Sequence, residues 1–224
     1  MEYFSKTDFD SSILPSTIRI TTMSITFKIG SEILIDELKQ IYPNPKKPFY
    51  NSISLKVPVD KENSREVHFK LFKNGSIQGA GFKTLNDINF SMNDLITKLE
   101  KNSIFCRVSD IKIIMINVNF TFPFCIRRDT FVQCLNDNNI PCFYDNCKHA
   151  AIKIPFKVED KVKPIVIFVF QSGAVNIFGS KNHHHVHGAY LYLKGLVDKY
   201  VPTNRPKQSE SPQIWFENRK NESV

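Results

Sequence analysis

The sequence predicts an α+β fold: an antiparallel sheet with helices on one side, built as a duplication of one β-α-β-β-β-α unit. Three observations predict it. Residues 165 to 181, IVIFVFQSGAVNIFGSK, are two β-branched and aromatic runs flanking Gln171-Ser172-Gly173, which is a strong hairpin signal. The same construction occurs earlier as FKLFKNGSIQGAGFK, at a constant offset that sets Phe72 over Phe170, Gly75 over Gly173, Gly81 over Gly179 and Lys83 over Lys181. Finally, strands run in blocks and each half closes with a long amphipathic helix, so that helices cover one side of the sheet and leave the other open.

Residues 1 to 17 are polar, carry Pro15, and are expected to form a disordered arm. In IRITTMSITFKIG, Met23, Ile25, Phe27 and Ile29 alternate with Thr22, Ser24, Thr26 and Lys28, the pattern of a strand with one buried face. Ser31 is placed to cap a short helix, EILIDELKQIY, with Leu34, Leu38 and Ile41 at helical spacing, ending before Pro43. The turn YPNPKKPFY then feeds a strand, SISLKV, that closes at Pro58. A polar loop precedes the first hairpin, where Val67, Phe69 and Leu71 face one way and His68, Lys70 and Phe72 the other. Ser91 with Asp94 resembles a capping box for a helix, MNDLITKLEKN, whose stripe is Met92, Leu95, Ile96 and Leu99. These elements make a first repeat over residues 18 to 104.

The second repeat, 105 to 201, keeps the order. DIKIIMINVNF is a strand, RRDTFVQCLNDNN a short helix capped near Asp129, and HAAIKIPF the next strand. The hairpin at 165 to 181 follows, then a helix from about His183 to Tyr200 with Asn182 as cap and Val186, Tyr190, Leu193, Val197 and Tyr200 as stripe. Residues 202 to 224 are polar and Pro-interrupted, as expected of a disordered tail, with Trp215-Phe216 a candidate docking peptide.

Thirty Lys and Arg against 22 Asp and Glu leave a net charge of +8, which draws the protein toward polyanions. Charge alone does not choose between DNA, RNA and an acidic protein. No apolar run approaches the roughly 18 residues of a membrane span, and MEYFSKTDFDSS lacks a secretion-signal pattern, so an intracellular location, cytoplasm or nucleus, is expected. Five cysteines, an odd number, fit reduced thiols better than a disulfide framework.

Little points to catalysis or metal binding. His183 and His187 share a helix face, yet no nearby acidic residue completes a hydrolytic site. Cys134, Cys142, Cys147 and His149 have a spacing that fits no paired zinc knuckle. Neither a nucleophile triad nor a phosphate-cradling glycine loop stands out, so the expectation is a protein without enzymatic activity, metal or cofactor.

Alternation instead assigns a ligand surface. The open face collects Thr22, Ser24, Thr26, His68, Lys70, Phe72, Gln78 and Ala80 from the first half, and Ile113, Met115, Asn117, Phe168, Phe170, Asn176 and Phe178 from the second. A broad patch of aliphatic, aromatic, amide and hydroxyl groups is a binding surface by default. Core packing is the competing role for its phenylalanines, but the opposite face of each strand already supplies the core.

Two tandem units of this order, with NPKKPF in the first, FPF after the first strand of the second, and F-x-x-G hairpins ending in G-x-K, resemble the TATA-box-binding protein family. The resemblance covers roughly residues 18 to 200 and is to the divergent form found in large DNA viruses. It implies a saddle with pseudo-twofold symmetry: a curved antiparallel sheet, helices on its convex side, and a concave face that enters the minor groove and pries base steps apart with aromatic wedges. The TATA-binding protein is itself the standard example of that mode.

By position, Phe72 and Phe170 match one wedge in each half. Phe49 serves as partner in the first half if the extra residue beside Pro48 is absorbed in the turn, and the second half offers Cys147, Lys148 or His149. Lys83, Lys181 and Lys153 match basic positions that grip phosphates, and Lys56 lies on a comparable strand. Gln78, Ala80, Asn176 and Phe178 occupy groove-reading positions, while Thr22 and either Ile113 or Met115 stand where the family has asparagine. The implied partners of this transcription initiation factor, a monomer, are A·T-rich double-stranded DNA, a B-like transcription factor whose docking loop is here FYDNCKH, and the RNA polymerase machinery. The alternative is a saddle-shaped interaction module of a transcription complex with weak or no DNA binding, which the polar residues of the first half favour.

Overall fold

The computed structural model describes residues 2–42, 51–60, 65–158 and 164–202. The first half comprises β1 (Arg19–Lys28), α1 (Ile35–Ile41), β2 (Ser52–Pro58), β3 (Glu66–Phe72), β4 (Ser76–Phe82) and α2 (Leu85–Lys101). The second comprises β5 (Ser109–Thr121), α3 (Arg128–Asp137), β6 (Ala151–Phe156), β7 (Ile165–Phe170), β8 (Ala174–Ser180) and α4 (His183–Tyr200). All eight strands join one antiparallel sheet in the order β2-β3-β4-β1-β5-β8-β7-β6. The order is mirrored about the β1–β5 seam, so the two halves meet through the first strand of each. Among the described residues no helix is long and apolar enough to cross a membrane.

Alternation decides which face is covered. Met23, Ile25 and Phe27 of β1, Val67, Phe69 and Leu71 of β3, and Ile165, Ile167 and Val169 of β7 are all buried. Over them α2 packs on β2 and β4, α4 on β7 and β8, α1 on β2, and α3 on β6 and α4. Helix α2 contributes Ile88, Met92, Leu95 and Leu99, each without exposed surface. Phe69 anchors the first half by meeting Phe27 at 6.3 Å and Phe82 at 5.6 Å, both edge to face.

The hairpin glycines fix each half's connection. Gly75 (φ 76°) and Gly173 (φ 85°) adopt the left-handed conformation that favours glycine. A side chain at either would collide with backbone: the Ser31 carbonyl in the first half, the Phe122 and Phe124 carbonyls in the second. The approach is made by hydrogen bonds, from Ile29 N–H to the Gly75 carbonyl (3.1 Å) and from Phe122 N–H to the Gly173 carbonyl (2.9 Å). Each tip thereby pins the segment that follows its half's first strand.

Several local expectations are corrected. Helix α1 starts at Ile35 rather than from a Ser31 cap, because Ser31 Oγ donates to the Phe105 carbonyl (2.7 Å) and Ile33 N–H donates to the Lys73 carbonyl (2.9 Å). Leu34 and Ile41 are consequently exposed, and Ile33, Ile35 and Leu38 make the contact with the core. Helix α2 starts two turns before Ser91, at a capping box formed by Thr84 and Asp87. Ser91 is fully buried and donates to the Pro58 carbonyl (2.9 Å), which ties the helix to β2. Helix α3 has Arg127, not Asp129, at its N-cap. Asn182 does cap α4, accepting from His185 N–H at 2.9 Å.

The N-terminal arm, expected to be disordered, is packed down. Phe4, Phe9 and Leu14 are buried. The Asn89 side chain of α2 accepts from Tyr3 and Phe4 N–H (2.9 and 3.0 Å) and donates to the Phe4 carbonyl (2.9 Å). Farther along, Asp10 N–H donates to His183 Nδ1 of α4 at 3.3 Å, and the Phe9 and His183 rings lie 6.0 Å apart. Three large apolar side chains make the arm part of the core, which its polar composition concealed. The expected tail from residue 203 onward, with Trp215 and Phe216, lies outside the described residues.

Candidate nucleic-acid interface

The face opposite the helices is assembled by strand register. Running outward from the seam in the first half, Met115, Ser24, Ala80, His68 and Lys56 are successive cross-strand neighbours, and beside them Lys112, Thr26, Gln78, Lys70 and Ser54 form a second row. In the second half the rows are Arg19, Asn119, Asn176, Phe168 and Lys153, then Phe178, Val166 and Pro155. Phe72 lies opposite Ser52, and Phe170 opposite Ala151, each at the end of its strand beside the hairpin turn. Phe72, Phe168 and Phe170 are half-buried and Phe178 is 38% exposed, in contrast to the fully buried rings of the helix-covered face.

Three predicted positions behave differently. The register shifts between Ser24 and Ile25, which brings Ile113 opposite Ile25 and packs it against the core, while Lys112 takes the open-face place beside Thr26. Asn117 lies opposite Thr22 but is only 6% exposed, and its Oδ1 accepts from Gly179 N–H at 3.2 Å. Its amide therefore holds the β5–β8 irregularity together. Ser24 is similarly enclosed at 7%. Asn119 and Lys112, absent from the expected set, are placed on the face by the same registers; the long run of alternation through β5 was the signal for Asn119.

The basic residues fall into two settings. Lys83 and Lys181 are exposed immediately before α2 and α4. Their backbones are held at equivalent points: Lys83 N–H donates to Asp87 Oδ2 (2.7 Å) and Lys181 N–H to His185 Nδ1 (3.4 Å). Burial pushes the Asp87 carboxyl up, but hydrogen bonds from Arg65, Lys83 N–H and Thr84, with the charge of Arg65, outweigh it and hold the group below the usual carboxylate range. Lys56 lies at the rim, 3.5 Å from Glu66. Lys153 is half-buried, its ammonium 5.6 Å from the Phe168 ring centre and 5.7 Å from that of Phe143.

Of the three residues considered as the second half's missing wedge, His149 is the one on the aromatic surface, with its ring 5.4 Å from Phe168. Cys147 is exposed, and Lys148 pairs with Asp145 at 3.1 Å. Phe143 joins the sheet through a bridge with Lys153, adding a further exposed ring beside β6. Phe49 lies outside the described residues. The surface is thus a continuous sheet face of amide, hydroxyl, aromatic and lysine groups, chemically suited to contact a polyanion along its rim and apolar edges at its centre.

No family model matches the chain. It is 28% identical over 182 residues to the "TATA-box-binding protein-like" protein of Acanthamoeba polyphaga mimivirus, a match covering 69% of this chain and 49% of the relative. The chain therefore spans about half the length of that curated relative. Among solved structures, Methanococcus jannaschii TBP superposes with a TM-score of 0.65 at 18% identity, over 81% of this chain and 98% of that one. A rolling circle replication initiator protein from Geobacillus stearothermophilus gives a TM-score of 0.30 at 13% identity, over 92% of this chain and 96% of that one. The fold is that of TBP, a curved open sheet with helices on its convex side, and the resemblance read from the sequence holds for a viral relative.

Proposed function

We propose that this protein is a non-enzymatic, TBP-like transcription initiation factor that binds double-stranded DNA in the minor groove and bends it. The observation that carries the reading is the open face itself: a TBP-fold sheet whose uncovered side presents half-exposed Phe72 and Phe170 at corresponding hairpin ends, with lysines around them. Phe72 and Phe170 act as wedges, Phe168, Phe178, Gln78, Asn176, Thr26 and Asn119 meet the groove floor, and Lys56, Lys83, Lys153 and Lys181 meet phosphates. A groove floor with few distinguishing base signals suits such short polar and apolar contacts, and the TA steps of A·T-rich sequences are easily kinked. Residues 18–104 and 105–201 are the two repeats, the protein acts as an intracellular monomer, and its helix-covered side receives B-like factor and polymerase machinery.

Fluorescence anisotropy with an A·T-rich duplex over a salt series tests this. Binding at low salt that weakens log-linearly with added salt is expected. The double variant Phe72→Ala, Phe170→Ala, shown folded by circular dichroism, should lose bending in an end-labelled energy-transfer assay. Absence of binding at low salt would refute the DNA role and leave the interaction module, the reading that His68, Lys70 and Gln78 on the first half's face favour.

A further inference from the structure

We infer, on the basis of that DNA reading, that the two halves of the open face are unequal: the second is a stacking platform for one unstacked nucleobase, whereas the first holds paired DNA. The registers make the comparison direct. In the first half Lys70 lies opposite Gln78 and His68 opposite Ala80. At the same points of the second half Phe168 lies opposite Asn176 and Val166 opposite Phe178. Three positions that are cationic, imidazole or methyl in one half are thus aromatic or branched aliphatic in the other.

The added rings are organised. Phe168 and Phe178 stand edge to face, centres 5.2 Å apart and planes at 87°. The His149 ring lies 5.4 Å from Phe168, and the Lys153 ammonium is 5.6 Å from the Phe168 ring centre and 5.7 Å from that of Phe143. Phe178 is 38% exposed and Phe143 57% exposed, so ring surface remains for a ligand. On the first half's face Phe72 is the one phenylalanine among the described strand residues, with the Lys70 ammonium 5.2 Å from its ring centre and no second phenylalanine beside it there.

Ring faces and ring edges select different things. A wedge at a hairpin end, such as Phe170, reaches a base face by opening a base step, but the floor of a paired minor groove shows only base edges. A ring cluster set within the sheet face, which meets that floor in paired DNA, therefore gains a base face to stack on only where a base has left the stack. Base-on-aromatic stacking is tolerant of sequence, and a lysine set among the rings supplies the complement to the adjoining phosphate. The net charge of +8 is of the sign this ligand needs. The class of ligand is therefore a duplex containing one unpaired or readily unstacked base, bound in one orientation, with that base over the second half.

The full-length chain and two duplexes of equal length test this, one fully paired and A·T-rich, the other identical but carrying a single bulged 2-aminopurine. Anisotropy should show the bulged duplex binding about tenfold tighter, within what one stacked base contributes. Steady-state emission of the 2-aminopurine should fall on binding, a readout in the unaltered protein that needs no variant. In the folded Phe168→Ala, Phe178→Ala protein the affinity ratio should drop to about one, whereas Lys70→Ala should keep it near ten. Equal affinities with unquenched emission overturn the inference while leaving DNA binding in place. A ratio unmoved by the double alanine change overturns the assignment to the second half. If neither duplex binds at low salt, the DNA reading itself fails and takes the inference with it.

Discussion

Replacing Asp87 by alanine should remove about 3 kcal/mol of stability, a value that follows from how its carboxylate is used. Asp87 Oδ2 accepts from Arg65 Nη2 (2.6 Å), Lys83 N–H (2.7 Å) and Thr84 N–H (3.1 Å), while Oδ1 accepts from Thr84 Oγ1 (2.8 Å). The residue is 8% exposed and its arginine partner only partly so. Removing one member of a buried pair costs about 3–5 kcal/mol, and the partial exposure of Arg65 places this case at the lower end. The charged group joins the chain entering β3, the end of β4 and the first turn of α2, so its loss unpins three elements at once. Urea unfolding of the wild type, Asp87→Ala and Asp87→Asn measures the effect, with unchanged m-values expected. The sign with pH is fixed: the folded carboxyl titrates below its unfolded value of about 3.9, so the contribution is complete above that pH and is lost as pH falls through the lower, folded value. The wild type and Asp87→Asn should therefore converge in stability on acidification. A loss under about 1 kcal/mol at neutral pH, or a difference that persists at acid pH, would refute the account.

Two further perturbations probe the scaffold. Gly173→Ala places a methyl group 2.7 Å from the Phe122 carbonyl oxygen at a positive φ, so the urea midpoint should fall by the equivalent of about 2 kcal/mol or more, and an unchanged midpoint would contradict the close approach of hairpin and β5 exit. Among the thiols, burial and then the neighbouring Glu100 push Cys106 up to about 11, while Cys147 is exposed. Thiol-reagent labelling of native protein at pH 8 followed by peptide mapping should therefore find Cys147 modified early and Cys106 late, an order that early Cys106 labelling would reverse.

What could be read in advance follows from how local the determinants are. The strands and both hairpins were legible because Phe72-x-x-Gly75 and Phe170-x-x-Gly173 encode their turns within four residues, and alternation on either side decides the face. The start of α2 was not, because the sequence offers two Ser/Thr-x-x-Asp patterns in succession. Thr84 is the cap, and Ser91 finds its acceptor at Pro58, a contact only the tertiary fold creates. Ile113 left the open face through a register shift that no glycine or proline announces. The arm escapes prediction for a related reason: Phe4, Phe9 and Leu14 lie in a polar stretch at a spacing of five, which is neither the strand nor the helix period, yet each is buried in the core. At the interface, alternation named the strand residues, but the contribution of Phe143 and His149 depends on loops returning to the sheet edge.

The course of that arm bears on mechanics. It is fastened at one point to Asn89 in the helix of the first half and at another to His183 in the helix of the second, while β1 and β5 join the halves directly within the sheet. A segment tied to both halves resists any change in the angle between them. Any flattening or tightening of the sheet would therefore work against the buried Phe4 and Phe9 and the two ties beside them, so residues 2–14 add stiffness across the two halves.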